Sequence, residues 1–338
     1  MRIQRRITIS DVAEAAGVSI ATVSKVLNQG YRVSPSTSTR VREAVEQLGY
    51  TSSLGASSLR SHRTNVIAAL VTAIEPFSVE LLKGISAVIH DTEYELLIYV
   101  GGQQRSEAGW ERAYVSRLGD TLTDGTILVT PSSADVASSV PLVAVDPHDG
   151  SAANAVLSDN LTGARIATDH LLDLGHRRIG FLSGRAGLES ARAREQGFRS
   201  AMAAAGAAVD ESLIGVGGYR AKSASAPARS LLTRPDRPTA VFAANDLSAI
   251  EFVSVATELG LRIPDDVSLV GFDNIPESLL TDPPLTTVDQ SIHDMGAAAA
   301  NMLLALIKSE DRPPAPSHVV LPTRLVIRRS TAPPPGPR

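Results

Sequence analysis

The chain has 338 residues, of which 43% are hydrophobic and 20% charged, and its formal net charge is −4. This length exceeds what one compact core holds, while the composition is typical of globular domains. The sequence has no cysteine, which excludes disulfides and thiolate chemistry. No run reaches about 18 apolar residues and residues 1–10 contain no apolar leader, so we expect a cytoplasmic protein without a membrane span or signal peptide.

The first predicted elements are two short helices joined by a tight turn. Thr8 and Asp11 have the spacing of a capping box at the start of the first helix. Its buried face follows from apolar residues at helical spacing: Ile9, Val12, Ala13 and Ala16. Gly17 interrupts this pattern, and Ser19 can cap the second helix. The order predicts a helix-turn-helix.

The second helix has inner residues of its own, Val23, Val26 and Leu27. The side chains left over are small or hydrogen-bonding, with one cation: Ile20, Ala21, Ser24, Lys25 and Asn28. A third helix is predicted from a cap at Ser34 to a stop at Gly49. Three such helices could form a structural bundle with an ordinary solvated face, or a module that brings the second helix to a DNA groove.

Charge favours the DNA-binding interpretation. Residues 1–63 contain nine Lys and Arg but only four Asp and Glu, so this segment carries +5. Because the whole chain is −4, the remainder carries −9. A basic head on an acidic body is typical of a nucleic-acid-binding module.

From Asn65 onward, strand patterns alternate with helical patterns. The predicted strands are Val66–Val71, Glu95–Val100, Gly125–Val129, Leu142–Val145, Ala155–Leu157, Ile179–Leu182, Ala240–Ala243 and Ser268–Phe272. The predicted helices are Ser78–Asp91, Glu107–Leu118, Leu161–Leu174, Ala191–Ala205, Ala221–Leu232, Asp246–Leu259 and Ile292–Lys308. This α/β alternation is typical of parallel sheets wound on both faces by helices, and its length is enough for two doubly wound sheets. The Pro-rich end, residues 329–338, is predicted to be a disordered tail.

Polar and aromatic side chains follow several of these strands, where ligands bind in such sheets. The candidates are Phe77, Asp146, Arg194, Tyr219, Asn245 and Asp273. Two carboxylates, an amide, a guanidinium and two aromatics suit a sugar, whose hydroxyls need polar partners and whose C–H face packs on a ring. The alternative is that the Asp and Asn residues cap helices or form turns. Trp110 could line the same cleft or pack in the core.

Catalytic patterns are absent from the sequence. It contains no G-x-S-x-G, P-loop or H-E-x-x-H motif, and its seven histidines are scattered without metal-ligand spacing. We therefore expect neither an enzyme nor a bound metal or cofactor.

Segments of the chain resemble one family of bacterial transcription regulators, the lactose-repressor/galactose-repressor (LacI/GalR) family. In the first helices the similar segments are Asp11–Ser19, Thr22–Asn28 and Leu48–Tyr50; in the core they are Ser190–Arg194, Ala243–Asp246, Gly271–Asp273 and Pro283–Thr287. The match is close over residues 7–60 and thinner to about residue 328. It implies a homodimer that binds a palindromic operator and a core of the two-lobed periplasmic-binding-protein type I fold.

The resemblance also implies domain boundaries. The helix-turn-helix headpiece would span residues 1–51 and the hinge helix with its linker residues 52–64. The core would span residues 65–328, with lobe 1 at about 65–160 plus 291–328 and lobe 2 at about 161–290. The last helix would return to the first lobe.

Carried onto this chain, the family pattern assigns DNA contacts in the headpiece. Base edges would be faced by Ile20, Ala21 and Lys25, and the DNA backbone would be positioned by Thr22, Ser24, Asn28 and Tyr50. Lys25 stands where the family usually has Arg, so it offers a point donor to guanine rather than a rigid fork. The operator sequence is not readable from these residues.

The hinge is the second carried feature, and it departs from the family. Residues 52–60 would order on the operator and insert Leu59 into the minor groove. Where the family usually has Pro, Asn and Arg, this chain has Ser52, Ser53 and Ser57, and Gly55 loosens the segment further. We expect a weaker hinge helix than usual. The alternative is that Leu59 is a linker residue without a role.

For the core, the resemblance assigns effector contacts to Arg194, Asn245 and Asp273, a stacking role to Tyr219, and pocket positions to Phe77 and Asp146. The whole pattern predicts a dimeric, nucleoid-associated repressor controlled by a small sugar. A purine-type corepressor would act in the opposite sense to a sugar inducer, and the sequence leaves this open. A solute-binding protein uses the same core but would need export. The sequence also leaves open the identity of the effector, the operator sequence and whether the protein is a dimer or a tetramer. It contains no leucine heptads that would indicate a tetramerisation helix.

Overall fold

The computed structural model describes residues 7–27, 33–50, 63–101, 110–119, 122–133, 136–148, 152–309 and 315–335. The chain divides into two units, Met1–Thr64 and Asn65–Arg338. Among the described residues, no helix is long and apolar enough to cross a membrane.

The described part of the N-terminal unit contains three helices with the predicted caps. They are α1 (Ile9–Ala16), α2 (Ile20–Leu27) and α3 (Pro35–Leu48). The Thr8 amide donates to Asp11 Oδ2 at 2.7 Å, and the Asp11 amide donates back to Thr8 Oγ1 at 3.4 Å. The Thr22 amide donates to Ser19 Oγ at 3.2 Å, which caps α2. The turn after α1 places Gly17 at φ 63°, a left-handed conformation that costs glycine little.

The second unit contains two six-stranded sheets. The first has β1 (Val66–Val71), β2 (Glu95–Val100), β3 (Gly125–Val129), β4 (Leu142–Val145), β5 (Ala155–Ser158) and β11 (His318–Leu321). The second has β6 (Ile179–Ser183), β7 (Ile214–Val216), β8 (Ala240–Ala243), β9 (Ser268–Asp273), β10 (Thr286–Asp289) and β12 (Arg324–Val326). The spatial orders are β11-β5-β4-β3-β1-β2 and β12-β10-β9-β8-β6-β7.

Helices cover both faces of each sheet. They are α4 (Pro76–Ile89), α5 (Trp110–Gly119), α6 (Asn160–Asp173), α7 (Glu189–Ala204), α8 (Ala221–Leu232), α9 (Asp246–Glu258) and α10 (Ile292–Lys308). Successive strand residues point to opposite faces. Phe181 therefore packs with α6 and α7, whereas Leu182 packs with α8 and α9. In the first sheet, Ile127 packs with α4 and α10 and Leu128 with α5. The predicted pair of doubly wound sheets is confirmed.

Helix α10 follows the second sheet in the chain but packs on the first, against α4. The two helices approach closely because glycines face each other's backbone. A Cβ atom at Gly84 would lie 1.9 Å from the His293 carbonyl oxygen, and one at Gly296 would lie 2.1 Å from that of Leu81. The last helix thus returns to the first lobe, as the resemblance implied.

The end of the chain departs from two predictions. Strand β12 pairs antiparallel with β10 in the second sheet, so the assignment of residues 324–328 to lobe 1 is wrong. The disordered tail is wrong for residues 329–335. Ser330 is 0% exposed, and its hydroxyl donates to the Leu269 carbonyl at 2.6 Å and accepts from the Thr286 amide at 2.8 Å. Proline content does not prevent ordering here because serine and backbone groups pair with β9 and β10.

The chain therefore passes between the sheets three times. It leaves the first sheet after β5, returns between β10 and α10, and leaves again between β11 and β12. Residues near these passages, including Asn160 and Gln290, are buried. The carboxyl ends of the parallel strands in both sheets line the same cleft.

Candidate functional site

The outer face of α2 carries four of the eight predicted DNA-contacting residues in exposed or partly exposed positions. Ile20 is 47% exposed, Ala21 and Lys25 are exposed, and Thr22 is partly exposed beside its capping partner. Tyr50 is partly buried against the apolar core of the headpiece.

Ser24 is the exception on this helix. Its residue is only 3% exposed, so the prediction that it belongs to the outer face is wrong. Each helical residue turns about 100° from the one before, and Ser24 adjoins the buried Val23 at the border of the inner face. Asn28 and Leu59, together with the hinge prediction for residues 52–60, lie outside the described residues.

All six predicted effector residues line one cleft between the two sheets. Phe77 comes from the start of α4 and Asp146 from the end of β4, both in the first lobe. The other four come from the second lobe: Arg194, Tyr219, Asn245 and Asp273. The fold thus brings together side chains that are almost 200 residues apart in the chain. That they bind an effector remains a prediction.

Backbone strain concentrates around this cleft. Among the described non-glycine residues with positive φ, four line it: Thr130 at 47°, Asp146 at 47°, Tyr219 at 62° and Asp273 at 117°. Each such conformation costs on the order of 1–3 kcal/mol and persists where the surrounding structure holds it. The strain aims side chains from strand ends into the cleft.

Arg194 is the centre of the buried polar network, at 3% exposed. Its Nε donates to Asn160 Oδ1 at 2.8 Å, and its Nη1 donates to the Ala244 carbonyl at 2.6 Å and Asp273 Oδ1 at 3.2 Å. Its Nη2 donates to Gln290 Oε1 at 3.4 Å. The guanidinium carbon lies 3.7 Å from the centroid of the Phe272 ring, a cation–π contact. Most of the N–H donors of Arg194 are therefore hydrogen-bonded to protein acceptors.

Two carboxylates lie close to Arg194 with raised pKa values. Burial raises the pKa of Asp273 to about 7, although Arg194 and Gln290 donate to this carboxylate and oppose the shift. Burial also raises the pKa of Asp146, against the charge of Arg194 and a hydrogen bond from Ser190. The floor of the cleft thus presents two carboxylate acceptors whose charge Arg194 neutralises only in part.

Asn245 fits both predictions made for it, a helix cap and a position at the ligand cleft. Its Oδ1 accepts from the Ser248 amide at 3.0 Å, which caps α9, and its Nδ2 donates to the Tyr219 carbonyl at 3.3 Å. It also lines the cleft. The amide therefore joins two of the loops that shape the floor.

Tyr219 lies with its ring against Gly184, where an added Cβ atom would come within 2.3 Å of the ring. Its hydroxyl oxygen is buried and has no hydrogen-bond partner within the described part of the chain. Burial raises its pKa to about 12. A buried hydroxyl without a partner is unfavourable, so a ligand that pairs with it gains binding energy.

The sequence reading missed several cleft residues, of which Gln290 is the most connected. It is 2% exposed, accepts from Ser158 Oγ at 2.9 Å and donates to Asp273 Oδ1 at 2.5 Å. The signal was its place directly after β10, a strand that the sequence analysis did not predict. Trp110 packs in a separate apolar cluster with Leu70 and does not line the cleft. Within the described ranges, no cluster of His, Asp and Glu could hold a metal ion.

We expect the raised pKa of Asp273 to appear in the pH dependence of stability. Its pKa of about 7 in the folded chain exceeds the ordinary value of about 4, so the folded state binds this proton more tightly. Its contribution to stability is fully present below about pH 4 and is lost as the pH rises through about 7. Asp273→Asn should therefore flatten the fall in the free energy of unfolding across that interval, measured by urea denaturation.

Asp210 provides the control of opposite sign. Hydrogen bonds from Ser212, with Arg178 nearby, lower the pKa of its carboxyl. Its contribution is present above its unfolded pKa and is lost only on stronger acidification. Asp210→Asn should leave the slope toward neutral pH unchanged. An unchanged slope in Asp273→Asn as well would show that Asp273 titrates normally.

Comparisons with known proteins cover both units of the chain. A model described as bacterial regulatory proteins, lacI family, matches residues 8–53, and one for a periplasmic binding protein-like domain matches residues 168–331. The HTH-type transcriptional repressor PurR of Photobacterium profundum is 35% identical over 314 residues, which cover 90% of this chain and 93% of that protein.

Solved structures extend the likeness to three dimensions. The complex of the transcriptional regulator CelR with cellobiose is 31% identical with a TM-score of 0.70, over 96% of this chain and 100% of that one. The lac repressor dimer bound to operator and the anti-inducer ONPF is 26% identical with a TM-score of 0.79, over 97% and 100%. Both likenesses span the helical headpiece and the two-sheet core.

Proposed function

The chain belongs to the lacI family of bacterial regulatory proteins, and we propose that it is a repressor that binds a palindromic operator as a dimer under the control of a small sugar. Membership makes it a DNA-binding transcriptional regulator and not an enzyme. The proposed part is that the protein is a dimer, that its operator is symmetric, that its effector is a sugar, and that the protein acts at the bacterial nucleoid in the cytoplasm.

The headpiece supports operator binding. The outer face of α2 is exposed at Ile20, Ala21 and Lys25, and the segment that contains it carries +5. Such a face can enter the major groove while the positive charge draws the headpiece to phosphates. The relative solved on operator is a dimer, which supports two-fold symmetry here. A symmetric dimer reads a palindromic site.

The floor of the cleft is the observation that carries the sugar proposal. Asp146 and Asp273 offer carboxylate acceptors, and the Tyr219 hydroxyl is buried with no hydrogen-bond partner among the described residues. Carboxylates accept from sugar hydroxyls, and Phe77 offers a ring for an apolar sugar face. The regulator solved with cellobiose supports a saccharide in a core of this kind.

Control of DNA binding follows from the two-lobed cleft. Phe77 and Asp146 belong to the first lobe and Tyr219, Asn245 and Asp273 to the second, so a ligand that contacts both sets favours one arrangement of the lobes. Gln290 lies where the chain returns to the first lobe and contacts both Ser158 and Asp273. Coupling between two such sites is typically about 1–3 kcal/mol, or roughly 5–150-fold in DNA affinity.

The test combines DNA selection with ligand binding. We expect the full chain to select an inverted repeat from a library of random duplexes, with an affinity that falls steeply as salt rises. A thermal-melt panel of mono- and oligosaccharides, sugar phosphates and purines then identifies the ligand, since a ligand at about 100 times its Kd adds about 2.7 kcal/mol. The ligand found should change the Kd for the selected duplex.

Each part of the proposal has its own contrary result. Selected DNA without two-fold symmetry would contradict dimeric operator binding. Stabilisation by purines alone would replace the sugar with a purine corepressor, the alternative left open by the sequence. Release of DNA by the ligand identifies an inducer, and tighter binding identifies a corepressor.

A further inference from the structure

Within the described part of the chain, two arginines at the cleft have no acidic partner, unlike most arginines of the second lobe. Residues 161–290 contain twelve arginines, and nine lie within 4.0 Å of a carboxylate: Arg165, Arg178, Arg192, Arg194, Arg199, Arg229, Arg234, Arg237 and Arg262. Arg177 donates to the carbonyls of Leu172 and His176. Of the twelve, only Arg185 and Arg220 have neither kind of partner among the described residues, and both line the cleft.

The fold places these two arginines on adjoining loops. Arg185 follows β6 and Arg220 follows β7, and the two strands pair in parallel. The amides of Gly217 and Gly218 donate to the Ser183 carbonyl at 2.8 and 3.1 Å, which ties the loops together. Both side chains therefore leave the same edge of the sheet.

Among the described residues, the partner that Arg185 finds across the cleft is an imidazole and not a carboxylate. Arg185 Nη2 lies 2.8 Å from Nε2 of His148 in the first lobe. An imidazole nitrogen can accept this hydrogen bond only when it is uncharged, and it then leaves the guanidinium charge intact. Both arginines are exposed, so they form a cationic rim at the mouth of the cleft.

The floor of the cleft leaves few free cationic donors for an anionic ligand. Arg194 directs its donors to Asn160, Ala244, Asp273 and Gln290. Around it, the Asp146 and Asp273 carboxylates accept hydrogen bonds and repel anions. Hydroxyls are therefore favoured at the floor and an anionic group at the rim.

We propose that the effector is a sugar with a phosphate or carboxylate group, whose anionic end binds Arg185 and Arg220 while its hydroxyls face Asp146 and Tyr219. The proposal rests on the sugar-responsive function above and names the class of sugar. Guanidinium groups recognise phosphate and carboxylate oxygens through paired N–H donors. Two guanidiniums on adjoining loops, with no carboxylate partner among the described residues, provide such donors with little competition from the protein.

Titration of matched ligand pairs into the full chain tests this directly. The probes are glucose and ribose with their terminal phosphate monoesters, galactose with galacturonate, inorganic phosphate, and the purines guanine and hypoxanthine. We expect an anionic member of a pair to bind roughly ten-fold or more tightly than its neutral partner, as lost charge-assisted hydrogen bonds cost about that much. The advantage should shrink as salt rises.

Variants assign the preference to the rim. Arg185→Gln and Arg220→Gln should each lower affinity for the anionic ligand about ten-fold and leave any neutral sugar unaffected. Lys222→Gln removes an exposed cation two residues further along, which does not line the cleft, and should change neither affinity. All three positions are exposed, so the unliganded melting temperature should stay within the wild-type range.

The outcomes separate this proposal from the one it rests on. If the neutral sugars bind as tightly as their anionic partners, or the preference survives both substitutions together, the cationic rim is not an effector subsite and the sugar proposal stands. If only purines bind, or nothing in the panel does, the sugar proposal and this inference both fall. Phosphate esters alone, or galacturonate alone, would identify which anion the rim recognises.

Discussion

Arg194→Ala is expected to lower the free energy of unfolding of the core by roughly 3–5 kcal/mol, the range for removing one partner of a buried ion pair. The loss leaves the buried Asp273 carboxylate without its cation and the Asn160 side-chain oxygen without its arginine donor, and it removes one of two donors to Gln290 Oε1. The cation–π contact with Phe272 is lost as well. Urea denaturation of the full chain measures this effect, and no sugar should stabilise the variant.

Arg192 supplies the matched control two residues away on the same helix. Its side chain is 59% exposed and pairs with Glu189, and exposed pairs contribute about 0–1 kcal/mol. Arg192→Ala should therefore cost little. Arg194→Met combined with Asp273→Asn should cost less than the sum of the two single substitutions, since neither charge is then left alone. Equal costs for Arg194→Ala and Arg192→Ala would refute the central role of Arg194.

Lys25→Glu is expected to weaken binding to the selected operator by roughly 100-fold or more, with the non-specific salt-dependent component also reduced. Lys25 is exposed on the outer face of α2, and the substitution places a carboxylate where the groove and its phosphates would lie. The position does not belong to the headpiece core, so the fold of the three helices should be unchanged. Fluorescence anisotropy at several salt concentrations provides the measurement.

Two further variants make the prediction specific. Lys25→Arg keeps the charge and adds a rigid fork, so it should alter base preference more than affinity. Lys83→Glu makes the same charge change on α4, where Lys83 is 58% exposed in the core unit, and should leave operator affinity almost unchanged. If Lys25→Glu and Lys83→Glu have the same effect, the outer face of α2 does not contact the operator.

Sequence patterns predicted those features that local interactions determine. Thr8, Ser19 and Ser34 cap helices within three residues of themselves, so the headpiece could be read directly. The long central strands are buried on both faces and appear as continuous apolar runs. The strand ends, together with the family resemblance, then identified six residues that line one cleft.

Features that depend on residues far away in the sequence could not be predicted from local patterns. Strand β12 has three residues and an exposed or partly exposed pattern, and only its pairing with β10 makes it a strand. Gln290 gains its role from contacts with Ser158 and Asp273, which no local spacing indicates. Ser330 is ordered by β9, some 60 residues earlier in the chain. Ser24 lay at the border of a helical face, where periodicity does not decide burial.

The three passages between the sheets also determine the order in which a nascent chain can mature. The headpiece is local in sequence and can fold as soon as its helices leave the ribosome. The first lobe must wait for α10 and β11, and the second for β12 and Ser330, so both reach their final form only when the last residues are synthesised. A message truncated shortly before codon 324 would thus yield a folded headpiece on a core with an unfinished second sheet.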